Sequence, residues 1–557
     1  MMGAGNPRHR SADGHAEPSP PKPSPAEMRR AGVELAREAL RRIGSSRMGS
    51  VAYDSGFVAR LTPLAPREEV VRRSLAYLDA SQHEDGSWGS PVRNVHDRAL
   101  NTLSALAGLA GGGEGLHSRS VERGLDALRG ILPRLASEPQ LVGSDLLIPP
   151  LVERCADLGL AVDPKGWPYR KVGRFAQALY GRVLYSGHPV GHLIELTGRS
   201  GDPERIVSRL RALPSGSIMC APSSTAFAME RAGRVEAPLL SYLRSTMNTD
   251  GGQRHFGPYE IMEGCYSLYA LRRSGVLRTQ AAHGALRRLR EAWTAEGVAF
   301  SREFPAVDLD DSALTALVVA EGGEAVSPAF LDAYAGEDYF RCYLSDRRGA
   351  VAPNLHAIEA LRVLAHPRKE ALTEVALRYV RANVRGDGSF LDHYSVSPNY
   401  PTWHAIEALS GVDERLAERA ALFLAASQRA DGSWAPQVHG PSTAEDTAYA
   451  VLGLCAWGEG HPGEFTDELA AGSAWLFAHR GEEPLPTWTA KVLYSPVTMA
   501  AAAVAGALSA AALALEGAPP SLSPNQASLD LPSGRGAPAL QVGASLGAVS
   551  QRNPRGV

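Results

Sequence analysis

The sequence has no pair of cysteines at a metal-binding or redox spacing. Its five cysteines, Cys155, Cys220, Cys265, Cys342 and Cys455, are scattered without a CxxC. Neither a zinc site nor a disulfide framework is indicated, and a reducing, cytoplasmic compartment fits. Charge of one sign is lacking too: 57 Lys and Arg against 60 Asp and Glu leave −3, with no basic excess to suggest nucleic acid. The N-terminus has no apolar core of a secretory signal. Residues 1–25 and 517–557 are polar and rich in Pro, Ser and Gly, and both are expected to be disordered tails. Almost no stretch alternates apolar and polar residues as a strand would, so the chain reads as all-α. The one long apolar run, Met499 to Leu515, is Ala-rich and short for a membrane span. It reads better as a buried closing helix. At 557 residues the chain is too long for one compact core, and two domains or more are expected.

Acidic residues are present where they are least comfortable. Val307-Asp308-Leu309-Asp310-Asp311-Ser312-Ala313 puts three carboxylates in four positions, directly ahead of an apolar helix ended by Gly322-Gly323. Like charges this close push at least one pKa upward, so one member can stay protonated at neutral pH and serve as a Brønsted acid. The helix N-terminus favours anions and works against that shift. Two readings stay open at this point: an acid, or an over-acidic N-cap.

A repeat is present as well. Ala80-Ser81-Gln82-His83-Glu84-Asp85-Gly86-Ser87-Trp88 matches Ala426-Ser427-Gln428-Arg429-Ala430-Asp431-Gly432-Ser433-Trp434 almost position for position. Asp387-Gly388-Ser389-Phe390 is a degenerate copy without the Gln, and Asp250-Gly251-Gly252 a weaker one. Asp-Gly supplies a turn, the aromatic packs under the next helix, and the Gln bonds neighbouring backbone. Such units bury their faces by stacking, as a solenoid of helical hairpins or a closed toroid. The motif fixes architecture and does no chemistry.

An Asp-x-Asp-Asp cluster together with Gln-x3-Gly-x-Trp repeats resembles the class II terpene cyclases, over about Ala26 to Leu515. Several stretches look like the bacterial copalyl-diphosphate-synthase-like branch: Val142 to Asp145, Ala221 to Ala226, Phe340 to Tyr343, Asn354 to His356, Ser397 to Thr402 and Lys491 to Pro496. The resemblance implies two α/α-barrel (toroid) domains, β and γ. Residues 26–43 would be the first helix of β, 44–285 the inserted γ barrel, and 286–516 the rest of β, carrying the acid motif.

The activity implied is cyclisation of a linear prenyl diphosphate, most simply geranylgeranyl diphosphate, to a bicyclic labdane-type diphosphate. By motif position Asp310 would be the acid, with Asp308 and Asp311 orienting its proton. Ser312 stands where many relatives have Thr. Trp403, Tyr400, Tyr449 and Tyr394 are the candidate aromatics for the cation. His356, His393 and His404 are candidates for the terminating base by location alone. Mg²⁺ would be held by Asp145, where relatives more often have Glu. Lys491, with Arg182, Arg170 and Lys171 after it, would contact the diphosphate.

No class I Asp-Asp-x-x-Asp or Asn/Asp…Ser…Glu pattern is found, so a class I terpene synthase or a phosphatase is expected to take the product onward. Farnesyl diphosphate, giving a drimane-type product, is the alternative substrate. Squalene fits less well, because such cyclases carry more of the Gln…Trp repeats and a membrane-contacting segment. A helical toroid for protein binding, or a prenyltransferase-like subunit, is the reading from another class. The first has no use for three clustered Asp residues, and the second lacks its zinc constellation.

Overall fold

The computed structural model describes residues 23–111, 117–138, 140–162, 189–199 and 212–517. The two expected tails lie almost wholly outside them, as do Arg170, Lys171 and Arg182. Helix formation starts at Pro25, where Ser24 accepts from the Glu27 backbone N–H and the Glu27 carboxylate accepts from Ser24 N (2.8 Å), a reciprocal cap.

Six helices close a ring: Glu260–Leu271, Leu309–Glu321, Val351–Val363, Asn399–Leu409, Ala444–Gly458 and Val497–Leu515, each packed on the next and the last on the first. They are apolar on nearly every side, as helices of an interior must be. Their outer partners are amphipathic. In Gln280–Ala292 only Ala282, Ala285, Leu286 and Leu289 are buried, the spacing of one helical face. Pro25–Arg42 packs outside Val497–Leu515. That last helix is long and apolar enough to cross a membrane, but 83% of its apolar window is buried inside the protein, so its hydrophobic surface is already used in closing the ring.

A second set forms between residues 52 and 245. Ala52–Ala59, Val95–Ala110, Ser144–Asp157, a 3-10 segment at Pro189–Thr197 and Pro222–Ala232 pack in succession and return to Ala52–Ala59. The fold is therefore a pair of α/α toroids, one inserted after the first outer helix of the other. Two helices inside the expected span 44–285 pack with the six-membered ring. Glu260–Leu271 and Gln280–Ala292 belong to the six-membered ring, because the first of them lies between Leu309–Glu321 and Val497–Leu515.

Both Gln…Trp turns have the same geometry. Gln82 Nε2 donates to the carbonyls of Gly86 (2.9 Å) and Ser120 (2.8 Å), and Gln428 Nε2 to those of Gly432 (3.0 Å) and Glu468 (2.8 Å). Trp88 and Trp434 each donate Nε1–H to a helix carbonyl, Leu78 and Leu424, at 2.7 Å. The Gln thus ties its own turn to the following outer helix while the indole closes the preceding one. Gly86, Gly388 and Gly432 all have φ between 85° and 92°, and a Cβ there would strike the carbonyl oxygens of Arg123, Arg419 and Ala471. Glycine is required on both counts.

Candidate active site

The acid cluster stands at the N-terminus of Leu309–Glu321. Asp308 is the N-cap, its Oδ1 accepting from Asp311 N at 2.8 Å. All three carboxyls are buried, with relative exposures of 3%, 7% and 5% for Asp308, Asp310 and Asp311. Burial, with Asp311 as neighbour, pushes Asp308 well up. Burial, with Asp310 as neighbour, pushes Asp311 up to about 7. For Asp308 and Asp311, desolvation and crowding thus outweigh the helix dipole.

Asp310 points into the ring. Tyr266 O–H donates to its Oδ2 at 2.7 Å, and its Oδ1 shares a 2.5 Å hydrogen bond with His356 Nδ1. His356 Nε2 in turn lies 2.9 Å from His404 Nδ1. Two of the three histidines named as terminating bases are therefore bound into the acid's own network. The third, His393, is exposed. Sequence reasoning missed Tyr266. Its only signal was an apolar run after Glu260, which does not say which tyrosine faces an aspartate 44 residues away.

The aromatic wall is continuous. Tyr266 meets Trp488 edge-on at 5.3 Å, Trp488 meets Tyr400 at 4.9 Å, and Tyr400 meets Tyr449 at 5.4 Å. Trp403 stacks on Tyr449 (5.5 Å, 16°) and donates Nε1–H to Glu407 Oε1 at 3.1 Å. Of the four expected aromatics, Tyr400, Trp403 and Tyr449 join this wall. Tyr394 lies in the loop beside it, its carbonyl accepting from Thr489 N at 2.9 Å. Trp488 was missed, as was Glu445, a buried carboxyl raised by burial to about 7. Glu445 Oε1 accepts from Tyr449 O–H (2.5 Å) and Trp488 Nε1–H (2.8 Å).

Lys491 differs from expectation. Its ammonium is 1% exposed, 2.6 Å from Glu195 Oε1 and 3.0 Å from Ser223 Oγ. Burial raises the Glu195 carboxyl, but Lys491 more than offsets this and holds it below the usual range. The charge expected to meet a diphosphate is already neutralised within the protein. It anchors the short hairpin Trp488–Thr489 with Leu493–Tyr494 to the inserted toroid, where Asp97 Oδ1 also accepts from Leu493 N at 2.8 Å.

Asp145 lies in the first turn of Ser144–Asp157 and is half-buried. Burial raises its carboxyl, and Arg348, from the other toroid, works the opposite way. Among the described residues no three His, Cys, Asp or Glu side chains converge as a metal cage. One or two protein carboxylates suffice for a Mg²⁺ that neutralises a diphosphate, and among the described residues Asp145 would be the one to hold it.

A family model described as the squalene-hopene cyclase C-terminal domain matches residues 350–495. The chain is 28% identical to a type B diterpene cyclase of Mycobacterium tuberculosis over 493 residues, covering 83% of this chain and 95% of that one. It is 29% identical to a copalyl diphosphate synthase of Streptomyces cyslabdanicus, covering 86% and 95%. Among solved structures, the ent-copalyl diphosphate synthase from Streptomyces platensis superposes with a TM-score of 0.73 at 28% identity, covering 88% of this chain and all of that one. Over most of its length the chain is thus similar to class II terpene cyclases, and in particular to bacterial copalyl diphosphate synthases.

Proposed function

We propose that this protein cyclises geranylgeranyl diphosphate to a bicyclic, labdane-type diphosphate, starting by protonation and leaving the diphosphate in place. The observation that carries the reading is Asp310 itself. It is a buried carboxyl held by Tyr266 and His356, beside a continuous aromatic wall. An alkene is a very weak base, so a carboxylic acid protonates it only where water is excluded and ring closure follows at once. Asp310 gives its proton to the terminal alkene. The raised Asp308 and Asp311 keep negative charge from accumulating beside it. The faces of Tyr400, Trp488 and Tyr449 are suited to the cation that follows.

Mg²⁺ would neutralise the diphosphate, with Asp145 as the described carboxylate able to hold it. The C20 substrate is preferred because relatives of near-full length carry the names diterpene cyclase and copalyl diphosphate synthase. A retained diphosphate leaves a product that needs a class I terpene synthase or a phosphatase to consume it.

The test is product analysis. Protein and Mg²⁺ are given geranylgeranyl or farnesyl diphosphate, then phosphatase, then gas chromatography with mass spectrometry. A bicyclic C20 alcohol supports the reading, and cyclisation of the C15 substrate alone moves it to a drimane-type cyclase. Return of both as linear alcohols, by protein that Asp310→Ala leaves unaltered in every assay, ends the catalytic reading.

A further inference from the structure

Asp310 and Glu445 occupy matching places on opposite sides of the ring. Each is the second residue of its helix, Leu309–Glu321 and Ala444–Gly458. Those helices are three places apart in the closed ring of six, whichever way it is counted. Outer helices return the chain between consecutive ring helices, so the ring helices run the same way and both carboxyls stand at the same end. With neighbouring axes about 9 Å apart, opposite axes are about 18 Å apart, which keeps the two carboxyls out of contact.

They belong to separate hydrogen-bond networks. Asp310 is held by Tyr266 and His356. Glu445 is 1% exposed; its Oε1 accepts from Tyr449 and Trp488, while Oε2 makes no hydrogen bond. Thr487 is a further polar side chain beside it. The next residue along shows what a purely structural carboxyl is like here. Asp446 is also fully buried, and Ser397, Asn399 and Thr443 all donate to it. The two networks meet in the aromatic wall, where Tyr266 lies edge-on to Trp488 at 5.3 Å.

We propose that Glu445 is the base that ends the reaction, taking a proton from the last carbocation through Oε2. The inference rests on the reading of Asp310 as the acid. Each ring closure moves the positive charge one ring further from the carbon that Asp310 protonated. The Glu445 carboxylate accepts a proton from a carbon next to the final cationic centre. The C–H electron pair becomes the new C=C bond, and Glu445 becomes the carboxylic acid. Asp310 has given one proton and Glu445 has received one, so the hydrocarbon keeps its composition and the diphosphate is unchanged. Exchange with water after product leaves returns both side chains to their starting forms.

The chemistry explains why the two carboxyls are kept apart. An acid and a base in contact would neutralise each other, and His356 and His404 are already committed to Asp310. Water as the base would also capture the cation as an alcohol. Burial raises Glu445 to about 7, which makes it a stronger base than an exposed glutamate while leaving much of it ionised at neutral pH. The titratable groups facing it are Asp446, on its own helix, which pushes it up, and Tyr449 and Tyr494. Burial holds both tyrosines in the neutral form.

The experiment follows product identity. Wild type, Glu445→Gln and Glu445→Asp are given geranylgeranyl diphosphate and Mg²⁺, and substrate consumption is measured beside the products released by phosphatase. Glutamine keeps an oxygen for Tyr449 and Trp488 and removes the basicity. Glu445→Gln should consume substrate within about tenfold of the wild-type rate, while the wild-type product falls at least about fivefold as a share of the total. Diols from capture by water, and double-bond isomers, should take its place, and Glu445→Asp should restore part of the share. In wild type that share should fall as pH drops through about 7, and in Glu445→Gln it should not change with pH. An unchanged share in Glu445→Gln, at whatever rate, overturns the base while leaving Asp310 as the acid. Should that variant be inactive, a wild-type share that stays constant between about pH 5.5 and about pH 8 overturns it instead. A wild type that cyclises neither the C20 nor the C15 diphosphate removes the acid reading, and the base with it.

Discussion

Asp310 and His356 lie 46 residues apart on neighbouring helices of the ring and share a 2.5 Å hydrogen bond. The pairing gives the acid a fixed partner on one oxygen, while Tyr266 fills the other. Removing either partner should be felt in catalysis before it is felt in folding. His356→Ala is expected to lower kcat by about 10²-fold or more, and His356→Asn, which keeps a donor, by less. Asp310→Asn should remove cyclisation altogether. Circular dichroism unchanged beside lost product formation is the check.

Asp311 makes stability depend on pH in a stated direction. Its folded pKa of about 7 lies above the roughly 3.9 of an unfolded aspartate. The folded state therefore holds the extra proton between those values. The contribution is complete below about pH 4 and is lost as pH rises through about 7, an effect on the order of a few kcal/mol. Asp311→Asn should be more stable than wild type at pH 8 and lose that advantage at pH 4.5. Urea midpoints at the two pH values decide it, and an advantage that does not change with pH rules it out.

Trp434 is fully buried and donates to Leu424 O. Trp434→Ala should cost about 3–5 kcal/mol. Trp434→Phe should cost about 1–3 kcal/mol, mostly for the carbonyl left without its donor. Phe390, which occupies the corresponding turn of the degenerate copy with the same backbone bond to a threonine hydroxyl (3.1 Å), shows that the fold accepts the smaller ring. Calorimetric unfolding of the two variants separates ring volume from the hydrogen bond.

Lys491 tests whether its charge serves folding or substrate. Lys491→Met leaves Glu195 buried with Tyr53 and Ser224 as neutral donors at 3.2 and 2.9 Å. The expected loss is about 3–5 kcal/mol, largely restored by adding Glu195→Gln. A variant with unchanged unfolding temperature and a raised KM would return Lys491 to the diphosphate.

Local chemistry made much of this legible in advance. The Asp85-Gly86 and Asp431-Gly432 turns were readable because a positive-φ glycine and its Asp cap interact within a few residues. The acid cluster was readable for the same reason, since crowding among Asp308, Asp310 and Asp311 is a property of adjacent positions. The direction of their shifts was not, because the dipole of Leu309–Glu321 and the loss of water act oppositely and only burial decides between them.

Residues brought in from far along the chain lay beyond such reasoning. Tyr266 was hidden in a segment assigned to the inserted toroid, and His356 among histidines that looked alike in sequence. Lys491 showed its charge but not Glu195, which arrives from 296 positions away. The sequence by itself determined an all-helical toroid with a carboxylic acid at a helix start, because helical periodicity, Gly turns and crowded charges are short-range. Only the tertiary structure decided which groups hold that acid and which cation is already paired. Those depend on the closing of six helices into a ring, which places distant side chains within hydrogen-bonding distance.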